Sequence, residues 1–232
     1  MLNAILASTS TVHGSDFLEY LLPELKELFK DKQNILFIPY ARPGGISYNE
    51  YTNNVKMTLA KINKSVSGIH EFDDPVNAID QAEGIFVGGG NTFVLTKTLY
   101  DFDIVNRLKD VILNGTPYLG TSAGSNIGGQ TIGTTNDMPI VYPPSFKALG
   151  IVPFNINPHY LDPDPSSTHM GETRETRINE FHEFNDIPVI GLREGSFIRL
   201  KGLKATLKGR KRARLFRKGI EPIELEVNTS LV

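Results

Sequence analysis

Short apolar runs alternate with amphipathic segments along most of the chain, and this alternation restricts the possible folds more than any other feature. The apolar runs are bounded by turn residues, as buried strands usually are. They cover residues 2–7, 35–39, 85–87, 118–119 and 189–192. Helical patterns lie between them at residues 16–30, 50–62, 91–99, 103–113 and 171–184. Strands that alternate with helices predict an α/β fold, with a mainly parallel sheet sandwiched by helices.

The pattern changes after Gly195, where residues 196–200 and 223–227 alternate apolar with polar side chains. This period of two predicts an antiparallel, strand-rich C-terminal part. Residues 201–218 carry nine Lys and Arg side chains but one aromatic side chain, Phe216. Surfaces that bind nucleic acid usually offer stacking aromatics, so a solvated hairpin is the simpler interpretation. No linker or repeat divides the chain, and we expect one domain over residues 1–232.

Composition excludes several classes of protein. The 24 Lys and Arg nearly balance the 26 Asp and Glu, so no overall field draws the protein to nucleic acid or membrane. The absence of cysteine excludes disulfides, thiolate zinc sites, iron–sulfur clusters and cysteine nucleophiles. No apolar stretch reaches the ~18 residues that a bilayer span needs. The N-terminus also lacks a basic leader and a cleavage site, and we therefore expect a cytoplasmic protein.

Ser122 is the candidate nucleophile. It is the central residue of Gly120-Thr121-Ser122-Ala123-Gly124, which follows a predicted strand and precedes small residues that suit a helix start. Gly-x-Ser-x-Gly in that context is the nucleophile-elbow pattern of α/β hydrolases. A helix start directs free N–H groups at the serine, so the N–H of Ala123 is a candidate oxyanion donor. The alternative interpretation is a flexible turn, since Gly, Ser and Thr are common in turns.

A second glycine-rich loop, residues 88–90, follows the predicted strand at 85–87. An oxyanion hole needs a further backbone N–H from a neighbouring loop, and Gly89 and Gly90 are the candidates. The alternative is a phosphate-binding loop at a helix start. The triplet lacks both the dinucleotide-binding spacing and the lysine of a Walker loop.

Histidine is the usual base for a serine nucleophile, because its ring exchanges a proton near neutral pH. Among five histidines, His159 follows an apolar run at a predicted strand end, and His169 is the other candidate. A carboxylate must orient the imidazole. Glu194 follows a buried strand, whereas Asp137 lies in a loop 15 residues after Ser122. The residues alone leave both carboxylates open.

A metal site is the rival interpretation for residues 159–172. This stretch contains potential ligands at His159, Asp162, Asp164, His169 and Glu172. It lacks the helical spacing of two histidines and is rich in Pro and Ser. An exposed loop over the site, without a metal, is the expected structure.

Six blocks in chain order resemble the peptidase E family, the α-aspartyl dipeptidases, which are serine peptidases related in fold to class I glutamine amidotransferases. The blocks are residues 87–93 (VGGGNTF), 120–124 (GTSAG), 134–139 (TTNDMP), 156–159 (INPH), 171–174 (GETR) and 191–195 (GLREG). The resemblance itself runs over nearly the whole chain. The resemblance therefore implies a single catalytic domain with a class I glutamine amidotransferase-like fold.

The resemblance also implies a reaction and its residues. Ser122 would be the nucleophile and His159 its base, and either Asp137 or Glu194 would be the acid. The substrates would be dipeptides with N-terminal aspartate, cleaved through an acyl-enzyme without metal or organic cofactor. Arg174 would clamp the side-chain carboxylate, because guanidinium binds carboxylate in a bidentate manner, and Asn91 is a second substrate-binding candidate.

Other activities are kept as alternatives. One is a serine hydrolase of another aspartyl amide, such as a β-aspartyl or cyanophycin-like bond. A non-catalytic phosphate- or nucleotide-binding module is the alternative from a different class. We expect a small peptide as the partner, no nucleic acid or membrane, and a monomer or weak homodimer.

Overall fold

The computed structural model describes residues 1–166, 168 and 170–231, which form two β-sheets and seven α-helices. The strands are β1 (Asn3–Ala7), β2 (Asn34–Ile38), β3 (Ser65–Gly68), β4 (Gly84–Val87), β5 (Tyr118–Thr121), β6 (Asn155–Pro158), β7 (Val189–Leu192), β8 (Ser196–Lys201), β9 (Lys204–Gly209), β10 (Ala213–Arg217) and β11 (Ile220–Leu225). The helices are α1 (Leu22–Leu28), α2 (Tyr48–Ala60), α3 (Pro75–Asp80), α4 (Thr92–Asp101), α5 (Val105–Leu113), α6 (Ala123–Asn126) and α7 (Arg174–Phe184).

The larger sheet has seven strands in the order β3-β2-β4-β5-β1-β8-β9. The first five are parallel to one another, and β8 and β9 add an antiparallel edge. Every residue of β4 and β5 is buried, as expected for strands covered on both faces. This sheet confirms the predicted α/β class, and β8 to β11 confirm the antiparallel C-terminal part.

Helices cover both faces of this sheet and create two apolar cores. Successive side chains of a strand point to opposite faces, so Leu6 of β1 packs into one core and its neighbour Ile5 into the other. Helices α1 and α2 contribute Leu25 and Val55 to the core around Ile5, whereas α3, α4 and α5 cover the opposite face. Each fully buried Leu or Ile contributes roughly 1.5–3 kcal/mol of transfer free energy.

A second sheet has four strands in the order β11-β10-β7-β6. Strands β6 and β7 are parallel, and β10 and β11 extend them in antiparallel fashion. The sequence predicted one mainly parallel sheet, so this second sheet is a new finding. Local patterns identify a strand but not its partner, because pairing depends on tertiary packing. The carboxyl ends of β6 and β7 meet the larger sheet at Ser8, directly after β1, which bonds to His159 N and to the Leu192 carbonyl.

Some helix limits differ from prediction for local reasons. The helical pattern over residues 16–30 becomes a short 3₁₀ helix, Glu19–Leu21, followed by α1. Leu18 has a left-handed backbone, and Pro23 lies in the first turn of α1, so an α-helix cannot run through both. Helix α7 begins at Arg174, later than predicted, because the Thr173 side chain caps it by accepting from Thr176 N.

The sequence patterns did not reveal β3 or α3. The expectation of a hairpin within the basic segment 201–218 was wrong, because its strands do not pair with each other: β9 pairs with β8 in the larger sheet, and β10 pairs with β7 and β11 in the second sheet. Within the parts of the chain that the structure describes, we find no helix long and apolar enough to cross a membrane.

Candidate active site

Ser122 lies at the sharp turn between β5 and α6, with a positive φ of 53° and a ψ of −112°. Such a φ is disfavoured for residues other than glycine and marks a turn held by its surroundings. Its neighbours show why two glycines are needed. A β-carbon at Gly120 would collide with the Gly124 carbonyl, and one at Gly124 would collide with the Val87 carbonyl. The Gly-x-Ser-x-Gly pattern therefore allows this turn to pack directly on β4.

His159 lies immediately after β6 and reaches Ser122 from the second sheet. Its Nε2 is 2.9 Å from Ser122 Oγ, and its Nδ1 is 2.7 Å from Glu194 Oε1. An ionised carboxylate can only accept a hydrogen bond, so Nδ1 of the neutral ring donates to Glu194. Nε2 is then left as the acceptor for the Ser122 hydroxyl. In this arrangement Ser122 has a base within hydrogen-bond distance, and that base has a carboxylate that can orient it.

The site is open to solvent. The His159 side chain is 38% exposed and the Glu194 side chain 49%. A peptide can therefore approach Ser122 without a large rearrangement of these groups.

The glycine triplet lies beside Ser122, but its three N–H groups differ. Gly88 N donates to the Ile38 carbonyl at 3.2 Å, and Gly89 N donates to the Tyr51 hydroxyl at 3.0 Å. Among the described residues, Gly90 N has no acceptor. With two of its three donors engaged, the triplet is poorly suited to cradling a phosphate, which needs several free N–H groups.

The Ala123 N–H, at the start of α6, has no acceptor within the described part of the chain either. Gly89 was an expected oxyanion donor, but its N–H is already engaged by Tyr51. Gly89 instead leaves room for the nucleophile, because a β-carbon there would lie 3.0 Å from the Ser122 Cβ. Of the three expected oxyanion donors, Gly90 and Ala123 therefore keep N–H groups without an acceptor among the described residues.

Asp137 is held away from His159. Its Oδ2 accepts from Thr92 N at 2.7 Å and from Thr135 Oγ1 at 3.0 Å. Thr92 is the first residue of α4, so the carboxylate interacts with the positive end of that helix. The carboxylate in hydrogen-bond contact with His159 is that of Glu194.

Asn91 is engaged within the protein. Its Oδ1 accepts from Val94 N at 3.1 Å, which caps α4, and its Nδ2 donates to the Met138 carbonyl at 2.9 Å. Both ends of the amide therefore have structural partners, and Asn91 connects α4 with the loop that carries Asp137.

Arg174 is a half-buried cation at the first position of α7. It makes no hydrogen bond or ion pair with any described residue. Partial burial lowers the pKa of Arg174, repulsion from Arg177 lowers it further, and the Asp137 carboxylate opposes both. The side chain lines a cavity of about 440 Å³ between residues 161–165 and 171–177. A carboxylate in this cavity would supply the partner that the guanidinium lacks.

Two acidic residues of the loop at 159–172 already have partners. Asp162 accepts two hydrogen bonds from Arg193, at 2.7 and 2.5 Å, and these hold its pKa below the ordinary value. Asp164 accepts from the backbone N and hydroxyl of Ser166 at 2.9 and 2.7 Å. Both carboxylates therefore stabilise the loop rather than pointing at a shared ligand.

Glu172 pairs with Arg177 at 3.6 Å. His169, the other candidate base and metal ligand, lies outside the described residues. Over residues 1–166, 168 and 170–231, no group of three or more His, Cys, Asp or Glu side chains has the arrangement of a metal site.

Three residues that support the site were not among those predicted from the sequence. The Ser8 hydroxyl accepts a hydrogen bond from His159 N, and the Tyr51 hydroxyl accepts one from Gly89 N. Arg193 forms ion pairs with Asp162 and Glu224. Ser8 directly follows β1, so the rule that found Ser122, His159 and Glu194 behind strands would also have found it. Arg193 directly follows β7 and carries the same signal, whereas Tyr51 carries none.

Comparison with known proteins agrees with this geometry. A family model described as Peptidase family S51 matches residues 4–208. "Peptidase E" of Streptomyces coelicolor is 48% identical over 230 residues, covering 99% of this chain and 93% of that protein. A "Probable alpha-aspartyl dipeptidase" of Drosophila melanogaster is 46% identical over 218 residues, covering 93% and 90% of the two chains.

Two solved structures share the fold. One is a putative peptidase E protein from Listeria monocytogenes, with a TM-score of 0.68, 22% identity, and 91% of this chain and 100% of that chain covered. The other is a peptidase from an acI-B1 Actinobacterium, with a TM-score of 0.70, 16% identity and 100% and 96% coverage. At these identities the likeness extends to the fold alone.

Proposed function

Since this chain belongs to peptidase family S51, we propose that it is a serine dipeptidase that hydrolyses dipeptides with N-terminal aspartate through an acyl-enzyme. The observation that carries the proposal is the hydrogen-bonded series from Ser122 Oγ through His159 to Glu194, at 2.9 and 2.7 Å. Such a series activates a serine that is otherwise a weak nucleophile.

Acylation begins when Ser122 Oγ attacks the carbonyl carbon of the substrate aspartate. His159 Nε2 takes the hydroxyl proton, and Glu194 holds the ring in the required tautomer and stabilises the imidazolium. The carbonyl oxygen becomes an oxyanion, for which the N–H groups of Gly90 and Ala123 are the donors. The tetrahedral intermediate collapses as His159 returns the proton to the leaving amine, and the second residue departs.

Deacylation repeats these steps with water. His159 takes a proton from a water molecule that attacks the aspartyl ester on Ser122. The same proton then passes to Ser122 Oγ as the ester bond breaks, which releases aspartate and restores the enzyme. Each step needs only proton transfer and acyl transfer.

Arg174 is proposed as the recognition group for the aspartate side chain. Its guanidinium is half-buried and has no partner among the described residues. A substrate carboxylate would form charge-assisted hydrogen bonds with it. Asp137 does not line the cavity beside Arg174, but its carboxylate acts electrostatically on the guanidinium.

The proposed specificity can be tested with four dipeptides: Asp-Leu, Asn-Leu, Glu-Leu and β-linked Asp-Leu. We expect kcat/KM for Asp-Leu to exceed that for Asn-Leu by on the order of 10²-fold, because the neutral amide forgoes a charged hydrogen bond. Product leucine is measured by chromatography. Preference for β-linked Asp-Leu would instead indicate a hydrolase of isoaspartyl or polymeric amides, and cleavage of none of the four would refute the proposed function.

Arg174→Met should separate carboxylate recognition from chemistry. We expect KM for Asp-Leu to rise roughly 10- to 100-fold, since a charge-assisted interaction is lost, while kcat/KM for Asn-Leu changes less than about 3-fold. Arg107→Met is the matched control, because Arg107 is an exposed residue of α5 that pairs with Asp80. Equal losses for both dipeptides would remove the carboxylate-binding role of Arg174.

A further inference from the structure

Ser8 is a fully buried serine that directly follows β1. Its hydroxyl contacts the backbone of His159 and the backbone of Leu192, which lies two residues before Glu194. We propose that Ser8 is a positioning residue that aligns the His159 imidazole with Ser122. The inference rests on the proposed function, because it concerns the same hydrolytic step.

The hydroxyl of Ser8 is fixed by two hydrogen bonds. It donates to the Leu192 carbonyl at 2.7 Å and accepts from His159 N at 2.9 Å. A hydroxyl has one proton, so donation to Leu192 orients the lone pairs towards His159. Leu192 is the last residue of β7, two positions before Glu194. One buried hydroxyl therefore contacts the two backbone segments that carry the base and the carboxylate.

His159 needs such an acceptor because it lies beyond the end of its strand. The ladder of β6 and β7 ends with the pair Pro158 and Leu192, so the His159 N–H is left outside it. The residue also has a left-handed backbone, with φ 54°, which few side chains adopt without support. The bond to Ser8 holds this conformation, and the conformation directs the ring towards Ser122.

The neighbouring residue of β1 fixes the nucleophile. Ser122 N donates to the Ala7 carbonyl at 3.0 Å. Ala7 and Ser8 thus contact Ser122 and His159, which belong to different sheets. The distance between nucleophile and base depends on how the two sheets are joined, and Ser8 is a side-chain link between them at that point.

Loss of this link should affect turnover more than substrate binding. A displacement of about 1 Å between reacting groups can lower a rate by ~10²-fold. Substrate binding should change less, because Arg174, the proposed binding group, is carried by α7 and does not contact Ser8. For Ser8→Ala we expect kcat for Asp-Leu to fall roughly 10- to 100-fold, with KM changed less than about 3-fold. Covalent modification of Ser122 by an aryl sulfonyl fluoride should slow by a similar factor, because it needs the same base.

Ser196→Ala is the matched control. Ser196 is also fully buried, and its hydroxyl donates to the Lys211 carbonyl at 2.6 Å and accepts from Lys211 N at 3.1 Å. The variant therefore loses the same number of buried side-chain hydrogen bonds, while the backbone bond from Ser8 N to the Ser196 carbonyl, at 3.0 Å, and the bond between Ser8 and His159 are retained. Thermal unfolding should show comparable destabilisation of the two variants, while kcat of Ser196→Ala stays at the wild-type value.

Wild-type kcat in Ser8→Ala, or an equal loss in Ser196→Ala, would overturn the positioning role. If Ser8→Ala does not fold, Ser8→Cys leaves no cavity because its thiol is slightly larger than the hydroxyl, and its weaker hydrogen bonds should give the same kcat loss on a smaller scale. Should the wild-type protein cleave no Asp-X dipeptide, the proposed function fails. The rate of sulfonyl fluoride modification would still decide the role of Ser8.

Discussion

Replacing Ser122 by alanine is expected to lower kcat for Asp-Leu by about four to six powers of ten. The size follows from the cooperation of nucleophile, base and carboxylate, since loss of one member removes the contribution of the whole unit. Residual hydrolysis above the uncatalysed rate would come from the oxyanion donors and from substrate binding. KM should change little, because Ser122 acts on the reacting carbon and Arg174 is proposed to supply the binding contact. Steady-state kinetics with chromatographic detection of leucine gives both constants.

A covalent probe provides the control for this variant. A fluorophosphonate should add one equivalent to the wild-type protein and none to Ser122→Ala, as read by intact mass. Thermal unfolding should show that the variant retains its fold. Near-wild-type cleavage of Asp-Leu by Ser122→Ala would refute the nucleophile assignment, whatever the probe shows.

Much of the candidate site was predictable because strands have simple sequence signals and parallel sheets have a simple rule. Ser122, His159 and Glu194 each follow a short apolar run that forms a strand, β5, β6 or β7. Functional groups tend to gather at the carboxyl ends of parallel strands. Position behind a strand placed these three residues among the candidates, although it left Asp137 open as the carboxylate and did not show that β5 belongs to a different sheet from β6 and β7.

The partners within the site could not be predicted in this way. Ser8 and His159 are 151 positions apart, and Tyr51 and Gly89 are 38 apart. These contacts depend on how two sheets and a helix pack, which a local pattern does not encode. The same limit explains why the division into two sheets was not predicted. It also explains why Gly89 was expected to be an oxyanion donor, although its N–H is bonded to the Tyr51 hydroxyl.

The choice between Glu194 and Asp137 illustrates this limit, because both are acidic residues in loops near the nucleophile. The structure distinguishes them by their contacts. Glu194 lies 2.7 Å from His159 Nδ1, whereas Asp137 accepts from Thr92 and Thr135. Matched amide substitutions, Glu194→Gln and Asp137→Asn, change the charge of each residue with little change in its shape.

We expect Glu194→Gln to lower kcat by roughly two to four powers of ten, because the neutral amide neither enforces the required tautomer of His159 nor stabilises the imidazolium. Asp137→Asn should lower kcat less than about 10-fold, since an amide oxygen can still accept from Thr92 N. Its effect should fall mainly on KM, because the charge near Arg174 changes. The comparison requires kcat and KM for Asp-Leu in both variants. A larger loss of kcat in Asp137→Asn than in Glu194→Gln would reverse the assignment and make Asp137 the residue on which His159 depends.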